Sequence, residues 1–173
     1  IAGAPGISPT ELSPVGSKQP VKTPDSLGYP YVILPDNATA NGAIENLADA
    51  QKCAKLFKEK REHIDGIIVV LPNFGDELGV VQTLDLAKLN VPVLVQACND
   101  RLDAVDVHGR RDAFCGKLSV CNNLYQYGIP FTDTSEHTCD IDSDVFQRDI
   151  DFFARLCRVT KGLRNARIGA IGA

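Results

Sequence analysis

The feature that most constrains the fold is an uninterrupted apolar run at residues 67–71, in the stretch GIIVVL. A second such run, VPVLVQA, follows at residues 91–97. Neither run alternates apolar with polar residues, as a strand with one solvated face would. Strands that read in this way are buried on both faces, which is typical of parallel sheets covered by helices. The two runs therefore predict an α/β domain.

The rest of the chain alternates strand and helix patterns around these two runs. Strands are predicted at about 29–34, in IPFT (129–132) and in the final ARIGAIGA (166–173), with helical periods in between. Thr39 or Asn41 is expected to cap the first helix, and Gly128 to end the third. This order predicts a doubly wound, mostly parallel sheet of about five strands flanked by helices, of the flavodoxin or Rossmann kind. We expect one domain over 31–173, preceded by a loop-like stretch over 1–30 that is rich in Pro and Gly.

Composition narrows the classes of function. The formal net charge is -4, which argues against nucleic acid as a partner. No apolar stretch approaches the roughly 20 residues that span a bilayer, so no membrane is expected. The six cysteines lack C-x-x-C spacing and are predicted to be free thiols of a cytoplasmic protein. The absence of Met leads us to expect a processed chain or a piece of a longer enzyme.

The stretch LPNFGDE (71–77) lies where an α/β fold places recognition groups, after a buried strand and before a helix. Asn73 offers a donor and an acceptor, Phe74 a flat apolar wall, and Gly75 room for close approach. The same residue types form ordinary turns, and Asp76 and Glu77 suit the first turn of a helix by charge. On spacing alone, a turn is favoured over a site.

A second candidate is the long polar loop that follows the 91–97 strand. It contains charges of both signs, which suits a polar ligand such as a sugar, and Arg binds paired oxygens with a forked geometry. Cys115 and Gly116 come next at a predicted helix start, where a thiol can have a lowered pKa. A solvated loop held by internal Arg–Asp pairs explains the residues equally well.

Other motifs carry less weight. HTCD (137–140) has metal-binding residue types at a spacing that fits no known motif, and DIDSD (140–144) is typical of a helix cap. The chain has no Walker loop, no G-x-G-x-x-G and no G-x-S-x-G. No complete catalytic constellation is present, so we assign no catalytic and no metal-binding residue to this chain.

Taken in order, several stretches resemble one family. DGIIVVLPNFGDELGVVQTLDL, VPVLVQACND, RDAFCGKLSVCNNLYQYGIPF, DIDFFARL and ARIGAIGA are similar to the N-terminal domain of the L-fucose/L-arabinose isomerase family. The resemblance implies a metal-dependent aldose–ketose isomerase that acts through an enediol, with Mn²⁺ held by later domains beyond this chain. It also implies a homo-oligomer, a trimer or hexamer, whose active sites are shared between subunits. The chain alone is expected to be inactive.

The resemblance gives the strand-end loops a role in contacting the sugar. Some family members carry a tryptophan in the first loop, whereas this chain has Phe74 and no Trp, which leaves the sugar open. The expected substrate-binding residues are Asn73, Phe74, Gly75, Asn99, Asp100, Arg101, Arg111, Asp112, Cys115 and Gly116.

Two other functions fit the same pattern. The first is a non-catalytic sugar-binding or regulatory α/β domain that uses the same loops. The second is a nucleotide-binding domain, which the missing phosphate loop disfavours.

Overall fold

The structure is a computed structural model that describes residues 2–3, 29–40, 43–104, 106, 109–169 and 171–172. Its sheet has the strand order β1-β2-β3-β4, and every neighbouring pair is parallel. The strands are β1 (Ala2–Gly3), β2 (Ile67–Leu71), β3 (Val93–Ala97) and β4 (Thr132–Asp133). Helices follow three of these strands, so the predicted α/β class and parallel sheet are confirmed.

Four α-helices surround the sheet: α1 (Leu47–Glu59), α2 (Glu77–Ala87), α3 (Ala113–Gln126) and α4 (Asp144–Arg164). Two short 3-10 turns, Asp36–Ala38 and Arg61–His63, lie on either side of α1. No helix in the described part of the chain is long and apolar enough to cross a membrane.

The sheet separates two apolar cores. Val69 and Val95 point into the larger core, which contains the buried side chains of α1, α2 and α3. Leu94 points into the smaller core with Phe146 and Phe153 of α4. Because successive residues of a strand point to opposite faces, these two sets place helices on both faces of the sheet. This is the predicted doubly wound arrangement.

Local sequence signals explain where the helices begin and end. Asp76 accepts a hydrogen bond from the Gly79 amide at 2.9 Å and so caps α2, as its charge suggested. Ser143 caps α4 in the same way, through the Phe146 amide at 3.2 Å. Gly128 has a φ of 66° and donates to the Tyr125 carbonyl just after α3, which confirms the predicted glycine stop.

The first helix begins later than predicted. Asn46 is its N-cap and accepts from the Asp49 amide at 3.0 Å, whereas Thr39 or Asn41 was the expected cap. The residues just before it, Ala43 and Ile44, are buried in loop conformation. Ile44 packs in the larger core from this loop conformation, so its burial does not depend on a helix.

The strand count was also wrong. Three strands lie within residues 67–133 and the two-residue β1 joins them, where about five were expected. Residues 29–34 form no strand, because the stretch is short and contains or adjoins Pro30 and Pro35, which have no amide to donate to a strand ladder. Residues 166–169 and 171–172 also form no strand, and Ile168 there is 97% exposed, without a neighbour to cover it. Conversely, β1 lies within the stretch predicted as loop, whose residues 1 and 4–28 lie outside the described part of the chain.

Candidate functional site

Loops from three neighbouring strands meet at the carboxyl edge of the sheet. The first loop spans 72–76 after β2, the second 98–112 after β3, and the third 134–143 after β4. Parallel pairing of β2 with β3 and of β3 with β4 brings these loops side by side. This edge is where doubly wound sheets bind ligands.

The first loop is held against the second by backbone contacts. The Phe74 amide donates to the Arg111 carbonyl at 2.8 Å. Gly116 of α3 lies so close that an added Cβ would be 2.6 Å from the Phe74 carbonyl carbon, and closer still to its oxygen. Gly75 has a φ of 79°, a conformation that favours glycine. These contacts leave the Phe74 ring 43% exposed at the edge.

Asp100 folds the second loop back on itself. One of its carboxylate oxygens accepts from the Arg111 amide at 3.0 Å and from the Asp112 amide at 2.9 Å. Asp112 adopts a φ of 54° directly before α3. The carboxylate of Asp100 therefore sets the approach of the chain to the start of α3.

Arg111 ties the second loop to the third. Its guanidinium donates to the Asn99 carbonyl at 3.1 Å and lies 3.8 Å from the Asp140 carboxylate. Asn99 itself donates to Asp140 through its amide side chain at 3.2 Å. The Arg111 side chain is only 19% exposed, so it acts more as a tie between loops than as an open contact.

Arg101 stands apart from this cluster. It forms a short pair with Asp103, at 2.6 Å, on the exposed part of the second loop. The hydrogen bond between them lowers the pKa of the Asp103 carboxyl and raises the pKa of the Arg101 guanidinium. Within the described part of the chain, the side chain of Arg101 pairs with Asp103 and not with another predicted site residue. His108, in the same loop, lies outside the described residues.

Cys115 differs from the expectation for a thiol at a helix start. A hydrogen bond to the Asp112 carboxylate raises its pKa above the ordinary value, where a lowered one was expected. The thiol is exposed and is a donor to an acid, so it is not an activated nucleophile. All six cysteines are free. Burial is the largest cause that raises the pKa of Cys121, Cys139 and Cys157, each to about 11.

The third loop is anchored by Lys117, which the sequence analysis did not single out. Its ammonium donates to the Thr134 hydroxyl at 2.7 Å and the His137 carbonyl at 2.8 Å, and it pairs with Asp133 at 2.5 Å. The side chain is only 2% exposed. Lys117 falls in register with the buried Ala113, Val120 and Leu124, and that spacing was the available signal.

The HTCD stretch serves the same loop. The Cys139 amide donates to the Ala97 carbonyl at 2.9 Å, and buried Gln96 donates to the Cys139 carbonyl at 2.5 Å. Asp140 completes the link to Arg111 described above. Within the described residues, no group of three or more His, Cys, Asp or Glu is placed to hold a metal ion. These described residues provide no ligand set for the Mn²⁺ that the resemblance places in later domains.

The predicted site residues thus lie at one edge of the sheet: Asn73, Phe74, Gly75, Asn99, Asp100, Arg111 and Asp112 in two adjoining loops, Cys115 and Gly116 in the first turn of α3, and Arg101 at the periphery. The family model described as "Fucose/sulfoquinovose isomerase, N-terminal domain" matches residues 1–164 of the chain. No curated protein and no solved structure matches it.

Proposed function

Because the chain belongs to the fucose/sulfoquinovose isomerase N-terminal domain family, we propose that its three strand-end loops contact the sugar of a metal-dependent aldose–ketose isomerase. The proposed reaction moves a proton between adjacent sugar carbons through an enediol. In this proposal the chain supplies substrate contacts, and the groups that move the proton come from outside it.

The observation that supports this role is the way in which the three loops are joined. The Phe74 amide bonds to Arg111, Asp100 bonds to the amides of Arg111 and Asp112, and Asp140 bonds to Asn99. These links hold groups from distant parts of the sequence in one arrangement before any ligand arrives. Such preorganisation lowers the entropic cost of ordering side chains around a ligand.

Each exposed group has a role that suits a sugar. The half-exposed Phe74 ring offers an apolar surface for the C–H face of a pyranose or furanose. The carboxylates of Asp112 and Asp140 are 35% and 47% exposed, and they can accept hydrogen bonds from sugar hydroxyls. Arg111 is proposed as a positioning residue, because its donors already face Asn99 and Asp140.

Only the resemblance to the isomerase family supports the metal in this proposal. Bound Mn²⁺ would polarise the sugar carbonyl, but the described residues provide no ligand set for it. We therefore assign no step of the reaction on this chain to the metal. Self-association into a trimer or hexamer, which would place this edge against a neighbouring subunit, and a cytoplasmic location are also parts of the proposal.

The test measures sugar isomerisation by the protein that carries this chain, with Mn²⁺ added and with L-fucose, L-arabinose and sulfoquinovose as substrates. We expect Phe74→Ala to raise KM for the preferred sugar by about 3- to 10-fold, the size of one lost aromatic contact. The concentration of Mn²⁺ that gives half-maximal activity should stay nearly unchanged, because Phe74 is not a metal ligand.

Phe152→Ala is the matched control. Phe152 lies on α4, and its ring is 58% exposed, but it is not part of the three loops. The KM of the Phe152→Ala variant should equal that of the unmodified protein. An equal rise in KM in both variants would show that Phe74 does not contact the sugar. Sugar binding without any turnover would instead favour the non-catalytic sugar-binding domain.

A further inference from the structure

Two buried side chains hold the backbone of the third loop from inside the protein. The Lys117 ammonium donates to the His137 carbonyl at 2.8 Å. The Gln96 amide group donates to the Cys139 carbonyl at 2.5 Å. Lys117 is 2% exposed and Gln96 is 0% exposed, so neither donor can turn to water instead. The backbone of the loop around His137 is therefore fixed before any ligand arrives.

The imidazole of His137 lies on the outside of this fixed backbone. The residue is exposed, and its ring packs against the ring of Phe114, with the two centroids 5.2 Å apart. Phe114 is in the first turn of α3, two residues before Gly116, which contacts Phe74 of the first loop. The imidazole is thus held by its own backbone and by an aromatic neighbour, at the edge where the three loops meet.

The ring nitrogens of His137 are open to a ligand, whereas other donors of this edge are already used. In the part of the chain that the structure describes, no other group bonds to the imidazole nitrogens. The Arg111 guanidinium faces a backbone carbonyl and Asp140, and the Cys115 thiol donates to Asp112. The exposed carboxylates of Asp112 and Asp140 accept hydrogen bonds but cannot donate them. His137 therefore supplies a donor beside these acceptors.

From these properties we infer that His137 is a further sugar-binding residue of the candidate site. A neutral imidazole has one N–H donor and one acceptor nitrogen, and either suits a sugar hydroxyl. The neighbouring carboxylates can accept from other hydroxyls of the same sugar. Lys117 is then a positioning residue, because it holds the backbone of His137 and its own side chain is buried. The inference rests on the proposed function and adds a residue outside the set that the family resemblance implied.

The experiment compares His137→Ala with His137→Gln in the protein that carries this chain. Isomerisation of L-fucose, L-arabinose and sulfoquinovose with Mn²⁺ gives KM for the preferred sugar. Calorimetry with Mn²⁺ gives Kd for the three corresponding alditols, which keep the hydroxyls but lack the carbonyl that isomerisation needs. We expect His137→Ala to raise both constants by about 5- to 10-fold, the size of one lost hydrogen bond.

His137→Gln separates hydrogen bonding from ring packing. Glutamine keeps a donor and an acceptor but has no ring to pack against Phe114. It should recover most of the lost affinity, leaving KM and Kd within about threefold of the unmodified protein. Glutamine that is as damaging as alanine would mean that the ring serves only to cover Phe114, and it would overturn the inference.

His63→Ala is the matched control. His63 is also exposed, but it lies in the 3-10 turn before β2, on the amino-terminal side of the sheet. Its substitution should leave KM and Kd within about twofold. Far-ultraviolet circular dichroism verifies that all three variants are folded. Unchanged constants in His137→Ala, or an equal rise in His63→Ala, would overturn the inference.

The two measurements separate the role of His137 from the proposed reaction. An alditol that binds in a His137-dependent way, to a protein that isomerises none of the sugars, would refute the reaction and support His137 as a binding residue. Isomerisation with a KM that His137→Ala leaves unchanged would support the reaction and overturn the inference. A protein that binds none of the alditols and isomerises none of the sugars would overturn both.

Discussion

The first and second loops at the carboxyl edge of the sheet are neighbours, but different forces hold them. The first loop is short and is fixed by backbone contacts, through the Phe74 amide and the close approach of Gly116. The second loop is long and is fixed by carboxylates, through Asp100 within the loop and Asp140 from the third loop. Close backbone packing leaves no room for an added atom. Exposed carboxylates lose less when they are replaced, because water can satisfy the groups they leave. The two loops should therefore respond very differently to single substitutions.

The largest effect is expected from Gly116→Ala, which breaks the packing of the first loop. The new methyl group would lie 2.6 Å from the Phe74 carbonyl carbon, and backbone cannot swing aside as a flexible side chain can. We expect a loss of about 3 kcal/mol in the free energy of unfolding, even after the roughly 1 kcal/mol by which Ala favours a helix over Gly. Urea denaturation followed by circular dichroism measures the loss.

Gly128→Ala separates this effect from the general cost of replacing a glycine. Gly128 has a φ of 66°, but an added Cβ would meet no atom within 4 Å. Its cost should be about 1 kcal/mol, from backbone conformation alone. If both substitutions cost the same, the close contact with Phe74 does not constrain the first loop.

The difference between the loops also decides what the sequence could predict. The glycines, Asp76 and the buried strand signal a tight turn into a helix by local rules, and those predictions are confirmed. The hydrogen bonds of the second and third loops join residues that are far apart in the sequence, Asn99 to Asp140 and Lys117 to Thr134. Which carboxylate meets which donor depends on the parallel register of β3 and β4, and no local pattern encodes it. The sequence predicted more strands than the structure has, because an apolar run forms a strand only where another strand can pair with it.

The next largest effect is expected from Lys117→Met, which removes a charged tie that is buried. Methionine fills a similar volume but leaves the Thr134 hydroxyl and the His137 carbonyl without their donor, and Asp133 without its partner. Breaking a buried pair commonly costs 3–5 kcal/mol, but the Asp133 side chain is 51% exposed and can regain water. We therefore expect a loss of about 2 kcal/mol in the free energy of unfolding, measured in urea.

Lys52→Met is the control for Lys117→Met, because Lys52 also pairs with an aspartate, Asp49, and bonds to a backbone carbonyl, but its side chain is 52% exposed. Its loss should stay below about 1 kcal/mol, as for surface pairs in general. Equal losses for the two lysines would mean that burial does not set the strength of these ties.

The smallest effect is expected from Asp100→Ala, which removes the tie within the second loop. Its carboxylate accepts from two backbone amides in an exposed setting, so a loss of about 1 kcal/mol in the free energy of unfolding is expected. The more direct measurement is hydrogen exchange: the Arg111 and Asp112 amides should exchange faster. Asp103→Ala removes an acid from the same loop whose side chain pairs with Arg101, and it should leave both amides protected. Unchanged protection in the Asp100 variant would show that the second loop keeps its shape through backbone packing, as the first does, and would remove the contrast between them.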